Sequence, residues 1–166
     1  MNFDHLSDLP EWDDDEFKDE DGEGEEWKPN PTKDACKKLY QQWQQVMIVL
    51  NGAFDSMKIE EKEGGFPSDY WEDHKGMILG DAYQVAVKIK SSEAGLYTIR
   101  MENASIIRKN AQFIKSSMLT MMSEEVIEEE YGKIIRNEID KFRELFKIWV
   151  NTFQKDEYED EWGLFI

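Results

Sequence analysis

One cysteine, two histidines, four prolines and no long apolar run set the first limits on this chain of 166 residues. A lone Cys36 excludes an intrachain disulfide and any zinc site built from several cysteines of one chain. With only His5 and His74, preceded three positions earlier by Asn2 and Trp71, the paired Glu-x-x-His motifs of a di-iron bundle are missing. No nucleophile elbow, phosphate-binding loop or dinucleotide fingerprint occurs. The best apolar run, Val46 to Leu50, falls far short of the ~20 residues a membrane span requires. Met1 to His5 carries neither a basic region nor an apolar core, so no secretory signal is read and the expected location is cytoplasmic.

Proline and glycine are also clustered, at Pro29-Asn30-Pro31 and Gly64-Gly65-Phe66-Pro67, and the stretches between them are long. That pattern predicts an all-α protein. Core material is ample, with six Trp, nine Phe and eight Met.

The net charge of −17 is unevenly spread. Residues 1–34 hold 14 acidic and 3 basic side chains, net −11; residues 35–155 hold 18 and 17, net −1; residues 156–166 hold 5 and 0, net −5. The body is nearly neutral and the acidity belongs to the ends. Direct nucleic-acid binding is not expected, because it needs a basic footprint. Acidic mimicry of a nucleic acid is a minor alternative, since the body lacks the spaced carboxylates it needs. Ser105 to Met121 runs the other way, with Arg108, Lys109 and Lys115 and no acid.

Three regions follow: an acidic arm at 1–29, either docked or disordered, a helical bundle at 30–155 and an acidic-aromatic tail at 156–166. Leu6, Leu9, Trp12, Phe17 and Trp27 interrupt the acids of the arm, and apolar groups so placed call for a docking surface. Asn30-Pro31 reads as an N-cap and first helical residue. Cys36, Leu39, Trp43, Val46, Leu50 and Met57 then mark one helical face. Ser68 to Glu72 reads as a fresh cap with capping-box spacing between Asp69 and Glu72. From Met77 to Met122 the apolar face is unbroken and proline-free, which predicts one helix of roughly 70 Å. Three long antiparallel helices result, or four if the central one breaks near Ser91-Gly95. Ser123 reads as the cap of the last helix, of about 33 residues, and this pivot would bring Glu138 to Arg108 as an ion pair.

Two candidate sites stand out. Glu93, Tyr97, Arg100 and Asn103 fall on the inner stripe of the central helix, where a charge is costly unless paired. They would form either a polar inter-helix pocket that grips a small anion or a network that fixes helix register. Trp12, Trp27, Trp162, Leu164, Phe165 and Ile166 are the apolar anchors of the two acidic ends and read as partner-docking residues. Cys36, on an apolar face, reads as a buried hydrophobe, and His74 as an exposed surface residue. No catalytic constellation, metal site or cofactor is expected. The reading favours a non-enzymatic helical interaction or scaffolding module that binds a protein partner or itself, with the anion-binding bundle as alternative.

Overall fold

The computed structural model of the chain describes residues 9–14 and 28–165, and all regular secondary structure among them is helical. Four helices follow in order: α1 (Pro31–Asp55), α2 (Ser68–Lys90), α3 (Tyr97–Ser123) and α4 (Glu129–Asn151). Each packs on its neighbours in sequence, and α4 closes the ring on α1. Cross-helix hydrogen bonds fix the directions. Thr32 at the start of α1 donates to the carbonyl of Thr152 beyond the end of α4, and Gln42 donates to Glu138. Asn110 of α3 donates to Gln84 of α2, and Asn103 donates to Ser92. All four neighbouring pairs are antiparallel.

α1 starts as its sequence dictates. Asn30 Oδ1 accepts the Lys33 amide at 3.1 Å, and Pro31 occupies the first turn, where its missing N–H costs nothing. The buried face of α1 carries Trp43, whose ring lies 4.8 Å from Phe142 of α4 and whose indole N–H donates to the Ala82 carbonyl of α2 at 2.8 Å. One side chain thus joins three helices.

The central helix expected from Met77 to Met122 is two helices, so the bundle has four and not three. Gly95, at φ +128°, takes a conformation that side-chain-bearing residues avoid. The break is then held by tertiary bonds. Ser92 Oγ turns back onto the Lys88 carbonyl at 2.6 Å, and Arg100 of α3 takes up the carbonyls of both Ser92 and Glu93.

Two further boundaries move. Ser123 ends α3 and does not open α4. Glu125 adopts φ +57°, Glu125 N–H reaches the Met122 carbonyl and Val126 N–H reaches the Met121 carbonyl. That is a Schellman stop with glutamate in the position glycine usually holds, and α4 is shortened to 23 residues. Gly132 lets α4 close on this turn, because a Cβ there would lie 2.4 Å from Met122 Sδ. At the other boundary, α2 runs from Ser68 without interruption, so the short turn at Ser68 to Glu72 is its first turn. No side chain caps it, and Ser68 Oγ turns to Glu61 instead.

Leu9 to Asp14 lies across the start of α1. Leu9 and Trp12 pack on the core, the Trp12 ring is 5.7 Å from Tyr40, and Tyr40 Oη donates to the Pro10 carbonyl at 2.6 Å. Lys33 donates to the Asp14 carbonyl, and Lys37 pairs with the Asp14 carboxylate at 3.1 Å, which holds that carboxyl below its usual range. No helix of the described chain is long and apolar enough to cross a membrane.

Candidate functional site

The α2–α3 corner gathers three of the four polar candidates. Arg100 is the centre of it: Nε donates to the Ser92 carbonyl at 3.1 Å and Nη2 to the Glu93 carbonyl at 2.9 Å. Asn103 Nδ2 donates to Ser92 Oγ at 2.9 Å. The Glu93 side chain is 2% exposed and pairs with Lys33 of α1 at 3.3 Å. Burial lowers the Arg100 pKa, while the Asp156 carboxylate favours its charged form. These contacts hold a chain reversal and the seam between α1, α2 and α3.

Cys36 lies beneath this corner and donates its S–H to the Ile89 carbonyl at 3.2 Å. Burial, and secondarily the Glu93 charge, push its thiol up to about 12. It is therefore a protonated core residue with no thiolate to offer as a nucleophile. Among the described residues no group of His, Cys, Asp and Glu is arranged to hold a metal ion.

Tyr97 stands apart from the other three. Its backbone N–H, the first of α3, donates to Asp156 Oδ2 at 2.8 Å. Leu96 supplies no side-chain cap, so a residue from beyond α4 caps α3 across 59 positions of sequence, with its negative charge at the positive helix end. Tyr97 and Thr98 then form one wall of a cleft of about 260 Å³ whose other wall is the tail, including Tyr158, Leu164 and Phe165. Glu93, Arg100 and Asn103 do not line it.

Within the tail, Asp160 accepts the Leu164 amide at 2.7 Å and Phe165 is half-buried. Trp162 is 88% exposed and Leu164 58% exposed. Of the docking candidates, Trp12 therefore packs on its own bundle, whereas Trp162 and Leu164 face solvent. Trp27 and Ile166 lie outside the described residues. No protein family, curated protein or solved structure matches this chain.

A second surface lies between α3 and α4. Ala111, Ile139, Phe142 and Phe146 floor a shallow groove of about 60 Å³, and Arg108, Lys115 and Arg143 rim it with Asp140. Lys115 and Arg143 both pair with Asp140, and Arg136 donates to the Lys115 carbonyl at 2.7 Å. Arg108 makes no ion pair among the described residues, so the expected Arg108–Glu138 link does not form. Glu138 bonds to Gln42 of α1 instead, and Lys141 of its own helix, then Gln42, hold its carboxyl below the usual range. The acid-free run Ser105 to Met121 was the available signal for this basic rim.

His74 is not an exposed surface residue. It is half-buried in an aromatic stack, parallel to Tyr70 at 5.7 Å and edge-on to Phe113 of α3 at 5.9 Å. Burial there lowers its pKa. Because the folded value lies below the unfolded one, the neutral ring contributes its full stability above pH ~6.5 and loses it as pH falls through the folded value. The His74→Phe variant is expected to show a flatter loss of melting temperature between pH 7 and 5 than the parent. Equal slopes would mean that His74 does not titrate differently on folding.

Proposed function

We propose that this chain is a non-enzymatic helical interaction module and that its acidic-aromatic tail is a docking element. The observation that carries this reading is the exposure of Trp162 and Leu164 on a segment that Asp156 anchors to the start of α3. Asp156 ties the start of the tail to α3 and Phe165 near its end is half-buried, yet Trp162 and Leu164 between them point to solvent. Leaving a Trp and a Leu in water forfeits roughly 1.5–3 kcal/mol for each that could be buried. Five acids in 156–161 would steer such an anchor to a basic surface. The polar corner supports the alternative less well, because Arg100 and Asn103 already bond to the turn they stabilise.

The test is removal of residues 156–166. A chain ending at Lys155 should lose its partner, whether a second copy or a protein retained from native lysate, as read by size-exclusion chromatography with light scattering. It should also melt a few degrees lower, since an N-cap contributes about 0.5–2 kcal/mol. Undiminished association after truncation would refute the reading.

A further inference from the structure

The groove between α3 and α4 has the complementary chemistry to the tail. Its floor is apolar and its rim is basic, in a chain of net charge −17. Arg108 on that rim is exposed and makes no ion pair among the described residues, although acids outnumber bases 37 to 20 along the chain. At about 60 Å³ the groove is too shallow to enclose a small molecule, but a flat ring can lie across Ala111, Ile139 and Phe146.

The chain's own tail is placed elsewhere. Asp156 binds it to the Tyr97 amide, Phe165 lines the cleft beside Thr98, and Trp162 is turned outward. A tail so held presents its anchor to another molecule. We infer that the α3–α4 groove seats the tail of a second copy of this chain, with Trp162 on the apolar floor and the carboxylates of Glu159 and Glu161 against Arg108 and its neighbouring cations. This inference rests on the tail being a docking element, as proposed above.

Reciprocal exchange of two tails gives a closed two-fold dimer, the commonest symmetric assembly. Two chains of −17 repel, but at about 0.15 M salt the screening length is roughly 8 Å, so the repulsion of the bodies fades while close groove–tail contacts persist. Arg108→Glu reverses a rim charge that makes no ion pair among the described residues, and Trp162→Ala removes an exposed ring. Neither change disturbs the core.

Sedimentation velocity on the full chain, from low micromolar to sub-millimolar concentration, is the experiment. The parent should be in monomer–dimer equilibrium. Each single variant should weaken the dimer at least ~10-fold, about 1.4 kcal/mol. Mixing the two variants should restore a dimer, because the mixture pairs one intact tail with one intact groove. Should Arg108→Glu fold poorly by circular dichroism, Arg108→Ala serves in its place. A parent that stays monomeric, a dimer indifferent to both substitutions, or a mixture that stays monomeric overturns the inference. If the parent is monomeric but retains a lysate protein that Trp162→Ala loses, the groove assignment fails and the interaction-module reading stands. If neither is seen, both fail.

Discussion

Replacing Trp43 by alanine is expected to lower the unfolding free energy by about 3–5 kcal/mol, the range for truncating a fully buried aromatic. For a chain of this size that is a fall in melting temperature on the order of 10 °C. Three losses combine. The indole is wholly buried, it packs on Phe142, and its N–H reaches the Ala82 carbonyl, so α1, α2 and α4 all lose contact. Trp149 provides the control. It is equally buried, but its Nε1 has no acceptor among the described residues. Trp149→Phe removes that buried donor, whose desolvation costs about 1–3 kcal/mol, and this offsets the lost volume. Urea unfolding followed by circular dichroism should therefore show a large loss for Trp43→Ala and a change near zero for Trp149→Phe. A loss under ~1 kcal/mol for Trp43→Ala would contradict the packing described.

Arg100→Met should cost about 2–4 kcal/mol, since two hydrogen bonds from a charged group are lost and two turn carbonyls are left without their donors. Arg100→Lys should recover less than half of this. A single ammonium cannot reproduce two divergent N–H donors held in one plane. Hydrogen exchange should localise the damage to the backbone of Ser92 to Leu96 before the rest of the bundle opens. If the methionine variant melted like the parent, the corner would not depend on Arg100, and the case for a ligand role at that guanidinium would return.

The helical class and the first helix were legible in the sequence, because their causes are local. Asn30 and Pro31 act within one turn, and the face from Cys36 to Phe54 is set by helical periodicity. The number of helices was not legible. Gly95 alone is weak evidence for a break, since glycine inside a helix costs only ~1 kcal/mol. What fixes the break are bonds from Arg100 and Asn103, 8 and 11 residues downstream of Ser92. The stop at Glu125 was hidden for a different reason: a glutamate occupies a left-handed position that ordinarily signals itself by glycine. The polar residues of the corner stand out in the sequence because an inner stripe ordinarily carries apolar side chains. Arg100 bonds to the backbone of the turn and Asn103 to the Ser92 side chain within it, and both bonds depend on the break the periodicity concealed. Asp156 carried no sequence signal as the cap of α3, because its partner amide lies 59 positions away. His74 looked exposed among Glu72, Asp73 and Lys75, and its burial depends on Phe113 of another helix.

On the proposed function, the outward-facing apolar residues of the tail bind another molecule and do not stabilise their own bundle. The double variant Trp162→Ser with Leu164→Ser tests this with two readouts on the same sample, melting temperature and mass by light scattering. The expected result is a melting temperature within a degree or two of the parent together with loss of the associated species, since both side chains are already in solvent. A sharp drop in melting temperature with association unchanged would show instead that the tail is part of the fold and not an instrument of binding.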